Sequence, residues 1–425
     1  MNRKKLLVLG GNYSTVGVVN YAHEMGLYVV VTSNQFAGEA KEIADEAIVI
    51  NVTDHDAIIN YIKNNKIDGV MTGASEFHLL NMIKICAKAN IPCYATEEQW
   101  NICQNKQSFK QLCRDNGVPC VPQFSMNDNP GTFEYPIIVK PTDGCSARGI
   151  SVCQNPEEYK FALAKALEYS AEKKVIVEKF MENKGTTMSV RYIAVNGELY
   201  LEAVGDRYVL DSNKGKALIT AAAFYPSKYT DMYIKEVDEK VKNMFKSIGL
   251  KNGVLFMESI ANDEGIWFYE MGLRVSGGMT YKITEKTNGV NELKMLINYA
   301  TTGKMCESED TKKIDPHFNG FYSASLCLPL TVGTIGEIRG MDVVRSLPEV
   351  GSVTEYWSEG GMIEQKHIGT LDQLYARVPI IVKGKERLAE IIRIMKENVS
   401  VRNTEGEEMI IWSKLDEIYN DYIGA

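Results

Sequence analysis

No apolar stretch of this chain approaches the ~20 residues that a membrane-spanning helix needs, which excludes an anchor of that kind. The basic start MNRKKLLVLGGN has an apolar run of only four residues before Gly10-Gly11, so it predicts a first β-strand rather than a leader. Histidine is scarce: five residues, scattered, without the spacing of a zinc site. The nine cysteines are odd in number and contain no Cys-x-x-Cys pair, which predicts free thiols in a reducing cytoplasm. Basic charge is also short, with 47 Lys and Arg against 55 Asp and Glu and a net charge of −8. That balance excludes a dedicated nucleic-acid binder and leaves room for a local basic site for a small phosphate compound. There is no internal repeat and no low-complexity linker. The chemistry falls to Lys, Arg and carboxylates.

What is present is a globular composition, 45% hydrophobic and 24% charged, in 425 residues, enough for two to four domains. The first ~95 residues alternate strand and helix. LLVLGG, YVVVTSN and IDGVMTG read as strands, Gly26 closes the first helix, and Ile58, Ile59 and Ile62 share one face of the next. Such alternation predicts an α/β unit with a parallel sheet covered by helices. Thr96 with Gln99 forms a capping box, and Asn155-Pro156 with Glu158 opens another helix. A long helix is expected between 231 and 248. The remainder, including GSVTEYW and VPIIVKG, is strand-rich apart from a helix bearing Leu388, Ile391, Ile392 and Met395.

Gly10, Gly11 and Gly17 lie where a strand passes into a helix, so backbone N–H groups there could meet an anion. The spacing is not the dinucleotide fingerprint, and the second strand ends in Thr32-Ser33-Asn34 without a ribose carboxylate, which disfavours a dehydrogenase. A plain tight turn explains these glycines equally well. YPIIVKPTDGCSARGI is more informative: a strand ends in Lys140, and a loop with Gly144, Ser146, Arg148 and Gly149 follows. Backbone N–H groups of such a loop can close over phosphate oxygens while a lysine supplies charge. Lys106 opens a helix, where its charge opposes the dipole and gains nothing structurally. Each lysine alone reads as a solvated surface residue. In VIVEKFMEN a strand emerges into Glu178, Lys179, Phe180, Met181 and Glu182, able to present amides and apolar groups to a flat base. A strand end marking the surface is the alternative.

GVLFMESIANDEGIWFYEMGLRVSGG reads as a hairpin with the three-residue loop Asp263-Glu264-Gly265, so that residues 262 and 266 pair and Glu258 faces Glu270. Facing carboxylates about 4.5–5.5 Å apart at Cβ repel, and either share a proton or hold a cation. A hard divalent ion suits them, since Mg²⁺ takes one or two carboxylates plus substrate phosphates. Arg274 follows, able to grip a phosphate or carboxylate by a bidentate contact. A surface hairpin whose acids flare apart is the competing explanation.

In this order the motifs resemble an ATP-grasp enzyme of the carboxylate–amine ligase kind, similar to L-amino-acid ligases and phosphoribosylglycinamide synthetases. The resemblance implies a Rossmann-like pre-ATP-grasp domain over 1–95. An α+β ATP-grasp domain over 96–305 with a lid at about 118–182 would follow, then a strand-rich carboxy-terminal domain over 306–425. It implies ATP with Mg²⁺ or Mn²⁺, with Lys106 and Lys140 on the phosphates and residues 143–149 as the lid loop. Glu178, Lys179 and Met181 would form the adenine hinge, Glu258 and Glu270 the metal pair, and Arg274 with Lys140 the catalytic groups. Many relatives carry Asn where this chain has Gly272, and Glu near Thr186 or Thr187, a role that then passes to Glu182.

The implied reaction forms an acyl phosphate from a small-molecule carboxylic acid, which an amine then converts to an amide. Glu76 is a candidate for an ammonium group and Gly11 for the acceptor pocket; a helix start equally explains Ser75-Glu76. Arg207, Lys214 and Lys216 are candidates to reach the transferred phosphate, with a solvated hairpin tip as the alternative. Cys145 reads as a small loop residue. Ligation to glycine in nucleotide biosynthesis, a carboxylation, and a nucleotide-binding regulator without turnover are the rivals. No nucleic-acid or membrane partner is expected, and a homodimer stays open.

Overall fold

The computed structural model describes residues 3–125, 128–142, 149–181, 186–210, 220–262 and 265–424. The amino-terminal strands Lys5–Leu9, Tyr28–Ser33 and Gly69–Thr72 form where expected, joined by an edge strand, Glu46–Val49, that the alternation did not suggest. All pairs in this sheet are parallel. Leu6 to Leu9 are all fully enclosed, because crossover helices cover both faces of a parallel sheet and remove any solvent side. The helices begin on side chains that satisfy their first N–H groups: Asn12, Ser75, Thr96 and Asn105 each accept from the first turn. Thr96 and Gln99 complete the capping box.

A four-stranded lid sheet runs Gln123–Phe124, Val175–Lys179, Ile137–Pro141, Ser151–Cys153, backed by the helix Pro156–Tyr169 around its own small core. The largest sheet has eight strands, all antiparallel. It starts at the hairpin Gly253–Asn262 and Gly265–Gly272, passes through Thr186–Val195, Glu198–Val209 and Thr220–Tyr225, and continues into Phe321–Pro329 and Leu374–Lys383. Strands on both sides of residue 305 therefore share one hydrogen-bonded sheet, which fixes the carboxy-terminal segment against the hairpin's sheet. The expected helix over 231–248 is two, Thr230–Glu236 and Asp238–Ser247, broken at Val237 with φ −127°. Its apolar spacing was right; the break lets Tyr233 and Asp238 both reach the buried Tyr192 hydroxyl.

Candidate active site

The helix Lys106–Asp115 starts on Asn105, whose Oδ1 accepts from Gln107 N (3.0 Å) and Ser108 N (3.1 Å). Lys106 at its first position is buried, and its Nζ lies 4.0 Å from Glu270 Oε2. One turn on, Lys110 projects from the same face. It is completely enclosed, donates to Val121 O at 3.0 Å, and ion-pairs with Glu178. Lys140, from the lid strand Ile137–Pro141, reaches the other oxygen of Glu178 at 2.6 Å. Glu178 is 2% exposed and thus joins two buried ammonium groups. Burial pushes its carboxyl up, but Lys140 and Lys110 outweigh that and hold it below the usual range. Burial dominates for Lys110, whose ammonium is lowered to about 8 despite its carboxylate partner.

On the hairpin, Glu258 stands opposite Glu270 as expected, by a different route. Asn262 pairs with Gly265, not residue 266, so the connection is one residue shorter than predicted. The alignment is restored by a bulge between the Glu258 and Ser259 pairs, which leaves Tyr269 as the extra residue. Tyr269 offers its ring to Lys140, 5.8 Å from the ammonium, and hydrogen-bonds Thr187. Thr187 is buried in the strand Thr186–Val195.

Repulsion between the two acids is relieved by protein cations on opposite sides. Glu258, nearly buried, takes the Ser189 hydroxyl at 3.2 Å and the Arg207 guanidinium. The Glu258 charge raises Arg207 above the ordinary arginine range, and Arg207 also donates to Thr220 Oγ1 at 3.0 Å. Glu270 is half-exposed and faces Lys106. Two hard oxygen donors, one anchored and one open to the cleft, fit a divalent ion whose other ligands are phosphate oxygens and water. No cluster of three His, Cys, Asp or Glu groups occurs among the described residues, so protein alone would not complete a shell. Where the resemblance leads one to expect Asn, glycine has a steric reason. A Cβ on Gly272 would lie 2.5 Å from the Phe256 ring and 3.2 Å from Glu76 Oε1.

Arg274 lies over the Phe256 ring, 5.0 Å from its centroid, and its Nε donates to Glu76 Oε1 at 2.5 Å. The other oxygen of Glu76 accepts from Trp100 Nε1 at 3.1 Å. Glu76 opens the helix Glu76–Ala89 behind its Ser75 cap, so one residue starts a helix and orients the arginine. Gly11 packs against its own domain: its carbonyl accepts the Ala40 N–H, and a Cβ there would be 3.0 Å from Ser33 Oγ. Gly149 adopts φ +76°, and a Cβ would come within 2.7 Å of the Tyr169 Cβ, which is reason enough for glycine there. Lys179 pairs with Glu134 at 3.0 Å on the surface, its N–H bound to Pro122 O; Met181 follows, half-buried. Gly144, Cys145, Ser146, Arg148, Glu182, Lys214 and Lys216 lie outside the described residues. The other eight cysteines are free thiols, and no described helix is long and apolar enough to cross a membrane.

Beyond Arg274 the chain runs Val275-Ser276-Gly277 along the wall of a cavity of about 1020 Å³. The opposite walls come from the first helix, at Tyr13, Ser14 and Gly17, and from the carboxy-terminal segment, at Tyr356, Trp357 and Arg377. Three site residues escaped sequence reasoning: Lys110, Tyr269 and Arg377. Lys110 carried a signal, four residues after Lys106 beside the apolar Phe109 and Cys113, and so did Arg377, alone among apolar residues in LYARVPIIV. Tyr269 had none, since only the bulge brings it over Lys140.

Residues 102–282 match the family model of the D-ala D-ala ligase C-terminus. An L-amino acid ligase from Bacillus licheniformis superposes with a TM-score of 0.77 at 17% identity, covering 95% of this chain and 100% of that one. The biotin carboxylase domain of the Hydrogenobacter thermophilus 2-oxoglutarate carboxylase gives 0.71 at 21% identity, over 96% and 91% of the two chains. In sequence, the 2-oxoglutarate carboxylase small subunit of that organism is 24% identical over 389 residues, 84% of this chain and 76% of the relative. Over the matched segment the chain resembles the D-ala D-ala ligase family, and its overall fold is that of the amino acid ligase and biotin carboxylase structures, which are ATP-grasp enzymes.

Proposed function

We propose that this chain is an ATP- and Mg²⁺-dependent carboxylate–amine ligase. The observation that carries the reading is the facing pair Glu258 and Glu270, with the buried Lys106 Nζ 4.0 Å from Glu270 and a cavity large enough for organic substrates lined by the segment that follows Arg274. The Hydrogenobacter structure similar to this one holds MgADP. By analogy Lys106 and Lys140 bind the phosphates, Lys179 and Met181 border the adenine, and Glu258 and Glu270 hold the metal. The metal, when bound, neutralises charge building on the transferred phosphoryl group.

The protein's own groups then have separable tasks. Lys106 and Lys140 hold the phosphate tail in line, and Arg274, steadied by Glu76, stabilises charge on the entering carboxylate and the phosphoryl oxygens. The substrate carboxylate oxygen attacks the γ-phosphorus, the P–O bond to ADP breaks, and ADP leaves with the electron pair. The amine nitrogen next attacks the acyl carbon; the C–O bond to phosphate breaks, phosphate departs, and the amine's proton passes to solvent. Closure of the lid sheet over the site would keep water from the acyl phosphate. A carboxylation with bicarbonate as acceptor is the second reading, favoured by the sequence likeness to the Hydrogenobacter subunit.

A phosphate-release screen with ATP, Mg²⁺ and paired carboxylic acids and amines tests the reading. Turnover that needs both an acid and an amine is expected, and Glu270→Gln abolishes it while the fold is retained. Turnover with bicarbonate and no amine would move the assignment to the second reading.

A further inference from the structure

Cys113 and Cys120 stand on either side of the turn that ends the helix Lys106–Asp115. Gly117 takes φ +66° there, and Val118 N donates back to Cys113 O at 2.9 Å, which folds the chain so that the two thiols meet in a hydrogen bond. The contact is also held from outside. Pro119 O and Val121 N bond the two backbone groups of Phe268, at 3.1 and 3.0 Å, and pin Cys120 between them. Cys113 is fully buried, whereas Cys120 is half-buried and opens on a groove of about 870 Å³ that Arg114, Lys173 and Lys174 also line. The hydrogen bond from Cys113 holds the Cys120 thiol below its ordinary range although burial opposes it, and Lys110 and Arg114 add to the effect. One sulfur is thus nucleophilic and reachable, with the other directly behind it. Cys86 and Cys93 meet in the same way at the same sequence separation, after Asn90 in the left-handed conformation. There the backbone N–H groups of Tyr94 and Ala95 stand in place of the two cations. The buried ion pairs of the candidate active site adjoin the first pair. Cys120 Sγ lies 4.0 Å from Lys110 O, and Val121 O, next in the chain, accepts from the Lys110 ammonium.

We propose that Cys113 and Cys120 are a reversible oxidation site, which a hydroperoxide converts to a disulfide, and that this bond weakens nucleotide binding. The site stands on the two thiols alone; its effect on the nucleotide rests on the reading of Lys140 as a phosphate ligand. The Cys120 thiolate attacks one peroxide oxygen, the O–O bond breaks, and the departing oxygen leaves with the electron pair and takes a proton. The Cys113 sulfur then attacks the sulfenic sulfur of Cys120, and its proton leaves with the hydroxyl group as water. Two thiols have lost two electrons, and hydrogen peroxide has become two molecules of water. A dithiol reductant reverses the change by exchange. The new bond draws Cys120 and Val121 against the helix and displaces the Val121 carbonyl from the Lys110 ammonium. Lys110 shares Glu178 with Lys140, so the disturbance reaches the lysine of the phosphate site through one carboxylate.

The test treats the full chain with hydrogen peroxide, blocks the remaining thiols and digests it with trypsin without reduction. Arg114 lies between the two cysteines, so the disulfide joins residues 111–114 to residues 115–148, and fragmentation of the joined peptides locates the bond at Cys120. Calorimetry with Mg²⁺ and a non-hydrolysable ATP analogue is expected to show an affinity about tenfold lower after oxidation, restored by dithiothreitol. Cys120→Ser and Cys120→Ala keep their affinity through the same treatment, while Cys86→Ser loses it as the natural protein does. No joined peptides, a bond at Cys86–Cys93 alone, or a loss of affinity that survives in both Cys120 variants overturns the inference. So do joined peptides with the affinity unchanged, and the phosphate-site reading then stands. If the bond forms while the reduced protein binds no nucleotide, the phosphate-site reading fails and the oxidation site stands.

Discussion

Glu178→Gln removes the one carboxylate shared by two buried lysines and is nearly isosteric, so packing changes little. Its cost is electrostatic and has a ceiling. A stranded ammonium sheds its proton when keeping it becomes more expensive, and deprotonating an ordinary lysine (10.5) at pH 7 costs about 5 kcal/mol. Breaking one partner out of a buried pair costs about 3–5 kcal/mol, so both routes give the same range. For a domain of this size that is a fall in thermal midpoint of roughly 10 °C. The double variant Lys110→Met/Glu178→Gln removes the fully enclosed charge together with its partner and recovers most of the loss. The pH dependence has a definite sign. Lys110 is lowered to about 8, so between pH 8 and 10.5 the unfolded chain binds more protons than the folded one. Stability of the natural protein relative to Lys110→Met therefore rises with pH through that window. The Glu178 contribution has the same sign in a lower window, present above the ordinary carboxyl range and lost as pH falls through the depressed value. Midpoints of the natural protein, Glu178→Gln, Lys110→Met and the double variant, measured by calorimetry from about pH 3 to about pH 10, check all of this. A Glu178→Gln protein melting within 2 °C of the parent, or a double variant no better than the single, would refute the reasoning.

Glu76→Gln loosens Arg274 without altering the metal pair, so the phosphoryl-transfer rate is expected to fall about tenfold, or ~1.4 kcal/mol, with the KM for ATP unchanged; a loss carried wholly in that KM would remove the positioning role. Gly272→Asn introduces the side chain that the resemblance leads one to expect there but overpacks Phe256, costing about 1–3 kcal/mol without tightening metal binding. Adding Phe256→Ala should return much of that stability in thermal melts, and no recovery would mean the strain lies elsewhere.

Local rules read from the chain were enough for the parallel-sheet domain, the capped helices and the opposition of Glu258 and Glu270, because hydrophobic period, cap chemistry and strand pairing act over a few residues. The hairpin shows where such rules end. The acids face each other, yet the turn is shorter than expected and the bulge at Tyr269 makes up the difference, a compensation set by the neighbouring strand Thr186–Val195 and Lys140. What the chain by itself determined was the list of charged groups and their order. What only tertiary structure decided was which charges meet. Glu178 lies between Lys110 and Lys140, Glu258 against Arg207, and Glu76 on Arg274 across 198 residues. Burial sets the energy of each of those pairs, and burial is a property of the packed sheets and helices, not of any stretch of sequence.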